Sequence, residues 1–292
     1  MTAEARRSRV AVVGYASVDR AITVATPLHP GRTSIVTGPG GELADSSQGT
    51  AGEPGGIGYA ATALAACGVP THAVTWIGDD PAGRVYAGRL RESGVEIDGL
   101  DIAGPVSPSS LMVYEPDGVC TCLFDPGSGA ADRLTSAQRE IVARSTHIVL
   151  MVAPAAITAQ VLDLIEGQGL TFVMKADEQA QPDGTCAAAI ARADSVFCNH
   201  VERDLIEPWL HGEQTVVTTA GAGAVRVEHH GESALIENPD VFRGTMDLTG
   251  AGDTLMGACL ASMLTGADIA GSVRAGMAAA TSLLRARVGQ GR

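Results

Sequence analysis

The stretch Asp247-Leu248-Thr249-Gly250-Ala251-Gly252-Asp253 leads into the apolar run TLMGACLASML, residues 254–264. That run predicts a helix whose first turn is opened by glycines. Such glycines let backbone N–H groups approach an anion, and the helix dipole adds about half a positive charge there. Asp253 would repel an anion, but it can take a proton from a hydroxyl while the amides hold a departing phosphoryl charge. The simpler alternative is that Asp253 only caps the helix.

Outward from this segment, strand and helix patterns alternate along the chain. Apolar, β-branched runs predict buried strands, and alanine- and leucine-rich runs predict helices. The predicted strands are residues 10–14, 72–76, 148–152, 171–174, 195–198, 215–219 and 224–227. The predicted helices are residues 59–67, 82–92, 157–166 and most of the tail from 254. This alternation is typical of a mostly parallel sheet covered by helices on both faces.

Two segments break the alternation. Residues 29–54 are rich in Gly, Pro, Ser and Thr, which favours a loop with one or two short exposed strands. Residues 110–124 alternate around the turn Pro116-Asp117-Gly118, which is typical of a β-hairpin. We therefore predict a small additional sheet attached to one edge of the main fold.

The composition limits the class of protein. The 292 residues are 45% hydrophobic, and 33 Asp and Glu against 20 Lys and Arg give a net charge of −13. This apolar fraction excludes disorder, and the negative charge argues against a general nucleic-acid binder or an anionic membrane surface. Of six cysteines only Cys120 and Cys122 lie close together, which favours reduced thiols over a disulfide or zinc site. Because no long apolar span occurs, we predict a soluble cytoplasmic protein.

The segment DLTGAGDTL resembles the C-terminal signature of the ribokinase-like (PfkB) carbohydrate kinases, usually written DTxGAGD. The resemblance implies that Asp253 is the catalytic base and that the amides of Gly250-Ala251-Gly252 form an anion hole. In this family the first Asp and the Thr often shape a monovalent-cation site. Asp247 and Thr249 match these two residues, so the resemblance also implies a K⁺ site there.

Three other segments match motifs of the same family, in the same order. Gly55-Gly56-Ile57-Gly58-Tyr59-Ala60 resembles the double glycine that opens a helix beside the sugar. Asn199-His200-Val201-Glu202 resembles the NxxE motif, whose Glu positions magnesium and its waters, and residues 218–223 match the TxGxxG turn beside the nucleotide. By resemblance, the substrate-binding residues are Ser17, Asp19, Gly55, Gly56, Gly58 and Tyr59. The implied ATP-binding residues are Asn199, Glu202, Thr218, Ala220 and Gly223.

Three departures from the family pattern bear on the ligands. The family usually has Asn where Ala60 stands and often Asn where Ser17 stands. Both changes remove groups that could hold sugar hydroxyls, so the pocket will not select a polyol in the usual way. By family resemblance, the first candidate substrates are ribose-like or fructose-like sugars. Nucleosides are the next candidates, because a less polar pocket could accept a base. Ala220 replaces the middle glycine of the nucleotide turn, which costs backbone freedom but leaves main-chain contacts to ATP.

Several alternatives remain open from the residues. The segment Gly56-Ile57-Gly58-Tyr59-Ala60-Ala61 formally satisfies a dinucleotide fingerprint, but residues 49–54 before it read as loop rather than strand. A second alternative is a protein with a kinase fold that binds a sugar or nucleoside and has a regulatory role without catalysis. The intact Asp253 and Glu202 argue against it. Lys175 and Asp177, at the end of a predicted strand, could approach phosphates, and a structural salt bridge is an equally good interpretation.

We expect one domain, residues 1–292, with a ribokinase-like three-layer αβα sandwich, a mostly parallel sheet and a β lid from about residues 15–54 and 106–127. The expected reaction transfers the γ-phosphate of ATP to a hydroxyl, with Mg²⁺ held through Glu202. Lid closure would exclude water, and the exposed lid edges favour a homodimer. The expected partner is a small-molecule sugar or nucleoside, with neither nucleic acid nor membrane.

Overall fold

The structure is a computed structural model that describes residues 8–37, 53–127, 131–175, 184–242 and 248–290. The strands are β1 Val10–Val13, β2 Ala16–Val24, β3 Val36–Thr37, β4 Glu53–Gly56, β5 Thr71–Ile77, β6 Glu96–Ile102, β7 Ser109–Tyr114, β8 Cys120–Asp125, β9 His147–Leu150, β10 Gly169–Val173, β11 Ser195–Asn199, β12 Thr215–Thr219, β13 Val225–His229 and β14 Glu232–Ile236. The helices in these ranges are α1 Gly58–Ala66, α2 Pro81–Glu92, α3 Ser136–Arg144, α4 Ala155–Leu164, α5 Gly184–Arg192, α6 His200–Ile206, α7 Ala251–Leu264 and α8 Ile269–Gln290. Within the described ranges, none of these helices has the length and apolarity to cross a membrane.

Nine of the described strands form the main sheet, in the order β14-β13-β12-β11-β10-β9-β1-β5-β6. Neighbours from β6 to β12 are parallel, and the last two pairs are antiparallel. The continuous apolar runs explain this, because strands buried on both faces belong to parallel sheets with helical cover. The predicted fold class, a three-layer sandwich with a mostly parallel sheet, is confirmed.

Successive residues of one strand divide between the two faces of the sheet. Val10 and Val12 of β1 pack in the cluster that contains buried residues of α1, α2, α7 and α8. Ala11 and Val13 pack in the other cluster, with buried residues of α3, α4, α5 and α6. This period of two is what a strand imposes on its side chains. The alternation places α1 and α7, which both carry predicted site residues, on the same face.

The predicted lid is a separate sheet with the order β3-β2-β7-β8 and with β4 paired to the other end of β2. β2 and β7 run parallel, and β7 and β8 form the predicted hairpin. Its residues 38–52 lie outside the described residues. That residues 1–292 form a single domain stays a prediction.

Asp80 fastens the second lid segment to the main sheet. Its carboxylate accepts the amide of Gly83 at 2.7 Å, which caps α2, and the amide and hydroxyl of Ser107 at 2.8 and 2.7 Å. Burial opposes ionisation, but these hydrogen bonds hold the pKa of Asp80 below its ordinary value. The start of β7 is thereby fixed beside the end of β5.

The structure differs from the prediction at several strands. β6 and β14 were not predicted, because β6 mixes acidic with apolar residues and β14 has no continuous apolar, β-branched run. Residues 49–54 were predicted as loop, but Glu53 and Pro54 belong to β4. β4 pairs antiparallel with β2 in the lid, whereas a dinucleotide fingerprint needs a strand of the parallel sheet. The oxidoreductase alternative therefore does not fit this fold.

Candidate active site

The carboxyl ends of the central strands meet at one edge of the main sheet. Lys175 follows β10 by two residues, and Asn199 and Thr219 are the last residues of β11 and β12. Because β11 and β12 pair in register, Asn199 lies directly beside Thr219. In open α/β sheets ligands bind at this edge. The lid begins at the same edge, since β2 starts three residues after β1 ends.

The start of α7 leaves backbone donors available. Gly250 is the N-cap, with φ 75° and no side-chain cap. The amide of Ala251 donates to the carbonyl of Leu248 at 3.1 Å, so its predicted place in an anion hole requires that bond to be shared or exchanged. Within the described part of the chain, the amides of Gly252 and Asp253 donate to no carbonyl. Two donors at a helix N-terminus are thus free for an anion.

Gly250 is required by both conformation and space. Its positive φ is one that side chains other than glycine rarely adopt. A Cβ at this position would lie 2.4 Å from the ring of Tyr59. By contrast, a Cβ on the exposed Gly252 would meet open space. The turn is therefore tightly packed on the side of Tyr59 and open on the side of Gly252.

Asp253 is not the helix cap. The N-cap is Gly250, and Asp253 lies in the first turn of α7 with a side chain only 10% exposed. Its Oδ1 lies 2.8 Å from Nζ of Lys175. The capping alternative does not hold in this geometry, because Asp253 lies within the first turn and no described side chain caps the helix. A buried carboxylate beside free amides can accept a proton.

Lys175 brings a positive charge to this carboxylate. Its side chain is 46% exposed. The surroundings disfavour the charged ammonium, but Asp253, Glu202 and Asp19 raise the pKa of Lys175 above its ordinary value of 10.5. The salt bridge expected for Lys175 is present, and its approach to phosphate stays a prediction. Asp177 lies outside the described residues.

The Asn199–Glu202 motif forms a capping box at the start of α6. Oδ1 of Asn199 accepts the amides of Val201 and Glu202 at 2.8 and 2.9 Å, and Oε2 of Glu202 accepts the amide of Asn199 at 2.7 Å. Glu202 is 6% exposed. The local structure therefore explains the spacing of the two residues, and it fixes the Glu202 carboxylate at the carboxyl edge.

The predicted nucleotide turn joins β12 to β13. Thr218 is buried, and its hydroxyl lies 3.7 Å from Sγ of Cys198. The amide of Gly223 donates to the carbonyl of Ala220 at 3.1 Å, and the positive φ of this turn falls on Gly221. Ala220 has no positive φ, which explains how alanine can replace glycine there.

The double glycine of β4 makes room for Asp19. A Cβ on Gly55 would lie 2.0 Å from the Asp19 carboxyl group, so the carboxylate packs directly on the Gly55 backbone. Gly56 has φ 56°, and a Cβ there would lie 2.1 Å from the carbonyl oxygen of Tyr15. The hydroxyl of Tyr86 donates to the Gly55 carbonyl at 3.1 Å. These contacts hold Asp19 at the junction of lid and sheet.

Gly58 and Tyr59 lie behind this junction, in the first turn of α1. A Cβ on Gly58 would lie 2.9 Å from the Pro54 side chain. Tyr59 is 6% exposed, and its hydroxyl accepts a hydrogen bond from Arg287 at 3.0 Å. Its ring supports Gly250, so this placement gives Tyr59 a role in shaping the α7 turn. Direct contact of either residue with substrate stays a prediction.

The inner lid contributes residues that the sequence analysis did not single out. Tyr114 of β7 places its hydroxyl 3.1 Å from the amide of Leu248, which donates to it, and 3.2 Å from the Thr249 hydroxyl. It ties the lid to the α7 turn. The alternation of side chains along β7 could have indicated Tyr114 as a site residue. Tyr114 lies on the same face of the strand as Ser110, which pairs with Asp19.

A second group on the lid is less polar. The rings of Tyr15 and Phe124 make an edge-on contact with centroids 5.2 Å apart, and Phe124 is opposite Ser110 in the hairpin. Ser17 is 3% exposed, and its hydroxyl lies 2.7 Å from that of Ser110. Burial raises the pKa of the Cys122 thiol above its ordinary value, and a side-chain hydrogen bond with Ser110 partly offsets this. The part of the lid around Ser110 thus carries both a carboxylate, from Asp19, and aromatic surface, from Phe124.

Comparisons with known proteins agree with this architecture. A search of curated proteins returned no match. The chain is similar to a ribokinase from Cryptococcus neoformans var. grubii serotype A in complex with ADP (18% identity, 94% and 93% of the two chains covered, TM-score 0.76). It is also similar to an Arabidopsis thaliana ribokinase complexed with ribose and ATP (20% identity, 94% and 91% covered, TM-score 0.72). A third similar structure is an adenosine kinase from Sinorhizobium meliloti (16% identity, 96% and 99% covered, TM-score 0.73).

At these identities the structural neighbours establish the fold alone. The family comparison goes further, since a model described as pfkB family carbohydrate kinase matches residues 8–290. That range takes in β1, the lid, the Asn199–Glu202 box and the α7 turn. On this match over nearly its whole length, the chain belongs to the pfkB family of carbohydrate kinases.

Proposed function

We propose that this protein transfers the γ-phosphate of ATP to a hydroxyl, primary where the acceptor has one, of a sugar or sugar-like small molecule. The observation that carries the proposal is the buried carboxylate of Asp253, in the same helical turn as two free amides and at the carboxyl edge of the sheet. Attack of an alcohol on a phosphoryl group needs a base and a set of fixed donors side by side.

In the proposed reaction Asp253 takes the proton of the acceptor hydroxyl while the hydroxyl oxygen attacks the γ-phosphorus in line. The amides of Gly252 and Asp253, together with those of Gly250 and Ala251, receive the charge of the transferring group. Asp19 holds other hydroxyls of the acceptor. Closure of the lid excludes water, so that ATP is not simply hydrolysed.

Glu202 is the residue that would hold Mg²⁺. Its carboxylate is a fixed, hard oxygen donor, and among the described residues no group of three or more acidic, His or Cys side chains forms a metal cage. One carboxylate completed by phosphate and water oxygens is a usual Mg²⁺ environment, so this donor set fits. When bound, the ion neutralises phosphate charge. The proposal extends to K⁺ at Thr249 and Asp247, although Asp247 lies outside the described residues.

A nucleoside is the second candidate acceptor. The Tyr15–Phe124 pair offers aromatic surface on the face of the lid that carries Asp19, and the fully buried Ala60 adds no polar group. Aromatic side chains stack favourably on other aromatic rings, and a nucleoside has such a ring in its base whereas a free sugar has none. The structural likeness to an adenosine kinase is compatible with this candidate.

The test is ADP release with a panel of sugars and nucleosides in the presence of Mg²⁺. The Asp253→Asn variant keeps the size of the side chain and removes the base, so turnover should fall about 10²- to 10⁴-fold. Asp98→Asn is the matched control, because Asp98 pairs with His72 near the start of β5, at the other edge of the sheet. Unchanged turnover in Asp253→Asn would remove Asp253 from the base role. The non-catalytic alternative predicts no ADP release from the wild type with any acceptor.

We further propose a homodimer formed through the lid. β8 is an edge strand of the lid, and it exposes Leu123 (58%) and Phe124 (44%). Exposed, apolar sheet edges commonly pair with a second copy. A strictly monomeric mass at micromolar concentration would refute the dimer.

The need for ATP and the six free cysteines favour a cytoplasmic location.

A further inference from the structure

The chain contains a single lysine. Lys175 is alone among 20 basic residues, of which the other 19 are arginines. The lysine stands at the candidate active site, 2.8 Å from the proposed base. Where arginine serves every other basic position, a lysine at this one points to a property that arginine lacks. An ammonium is a compact point charge with three rotatable donors on a flexible stem, whereas a guanidinium is a planar fork that pairs bidentately with one carboxylate.

The charge balance at this edge explains why a mobile cation is needed. Lys175 pairs directly with Asp253, and the charges of Glu202 and Asp19 also act on its ammonium. Like charges disfavour a triphosphate near these groups, and the repulsion is strongest where the surroundings exclude water. Asp253 is only 10% exposed, but Lys175 is 46% exposed. The ammonium is therefore the partner that an incoming anion can reach.

We infer that Lys175 is a catalytic residue. Its ammonium group dissociates from Asp253 and binds the transferring phosphoryl group. The inference rests on the proposed function. In the free protein, the ion pair holds the Asp253 carboxylate in place. When the γ-phosphate reaches the start of α7, the ammonium moves to a phosphoryl oxygen, and Oδ1 of Asp253 is released to accept a proton.

The step balances without any further reactant. The acceptor oxygen forms a bond to the γ-phosphorus, and the bond between that phosphorus and the bridging oxygen breaks, with its electron pair leaving on ADP. The acceptor proton goes to Asp253. Lys175 keeps its proton throughout, so its contribution is charge and position.

Kinetics of three variants give the first test. Lys175→Gln should lower kcat about 10²-fold, the usual loss when one fixed donor to a transition-state anion is removed. Lys175→Arg should lose less, because it keeps the charge but holds Asp253 in a bidentate pair. Arg144→Gln is the control, since it removes an exposed ion pair of 2.7 Å with Glu140 near the start of β9, at the other edge of the sheet. A wild-type kcat in Lys175→Gln would overturn the inference and leave the proposed function standing.

The single lysine also allows a direct binding test that needs no destabilising variant. Reductive methylation with ¹³C-formaldehyde labels only Lys175 and the N-terminal amine and preserves both charges, and a Lys175→Arg sample identifies the lysine signal. We expect that signal to shift with the β,γ-imido analogue of ATP and much less with ADP or AMP, with and without Mg²⁺. Equal shifts with AMP and the analogue, or no shift at all, would show a static ion pair and overturn the inference.

The two tests separate the failure of this inference from failure of the proposed function. If the wild type releases no ADP with any acceptor, the proposed function fails. The Lys175 signal then still reports whether the ammonium responds to a third phosphate. If the wild type is active but Lys175→Gln keeps its kcat and the ¹³C-methyl signal of Lys175 does not respond to the third phosphate, only the proposed role of Lys175 fails.

Discussion

Gly252→Ala should make the protein slightly more stable and nearly inactive. Gly252 lies in the first turn of α7 and is exposed, and an added Cβ would meet no atom within 4 Å. The substitution therefore causes no clash in the free protein. In an α-helix the Cα–Cβ bond is tilted toward the N-terminus. The new methyl group would thus extend into the space where the free amides would receive a phosphoryl group.

The two effects have different sizes. Replacing glycine by alanine within a helix stabilises by about 0.5–1 kcal/mol, because less backbone entropy is lost on folding. For a chain of this length that raises Tm by about 1 °C. A phosphoryl group needs its oxygens about 2.9 Å from the amide nitrogens, and carbon atoms prefer contacts of about 3.5 Å or more. A displacement of about 1 Å at the reacting centre can cost about 10²-fold in rate.

The assay pairs thermal unfolding with ADP release at saturating acceptor. Gly88→Ala is the matched control, because Gly88 is also helical, in α2, and an added Cβ there also meets nothing within 4 Å. It should gain the same stability and keep full activity. Gly252→Ala with wild-type turnover would refute the placement of the transferring phosphate at the start of α7.

Three further changes test other parts of the structure. Gly250→Ala should destabilise by at least about 2 kcal/mol in urea unfolding, because it forces a positive φ and a Cβ against Tyr59. Tyr114→Phe should lower kcat/KM about tenfold without loss of fold, since the hydroxyl holds the amide of Leu248. Burial lowers the pKa of His147 to about 4. The unfolded chain therefore binds a proton between pH 6.5 and 4 that the folded chain does not, and stability should fall by about 3 kcal/mol over that window. Urea unfolding of His147→Gln should show a smaller fall, and an equal fall would exclude His147 as its source.

The α7 turn could be predicted from sequence because its chemistry is local. Glycines before an apolar helix specify free amides wherever the helix lies, and the positive φ of Gly250 follows from the same segment. The capping box at Asn199 and Glu202 is equally local. The parallel sheet was predictable because buried strands have continuous apolar sequences.

Contacts between distant segments could not be predicted in this way. Nothing in the residues around Gly55 indicates that its missing Cβ makes room for Asp19. Nothing in the residues around Tyr59 indicates that its ring lies against Gly250, much further along the chain. The partner of Lys175 could not be predicted either, since Asp253 lies on α7, far along the chain from β10. Such pairs are determined by strand order, which periodicity does not specify.

The lid and the α7 turn are joined by hydrogen bonds in this fold, so the lid is not a cover over an independent site. Tyr114 bonds to Leu248, and the carbonyl of Leu248 in turn accepts the amide of Ala251. Movement of the lid strand therefore pulls on the same turn that would hold the transferring group. If the lid closes when an acceptor binds beside Asp19, Tyr114 will carry that closure to the Ala251 amide. Binding energy from the acceptor can then be used to complete the anion hole, which is how an enzyme limits hydrolysis of ATP when no acceptor is present.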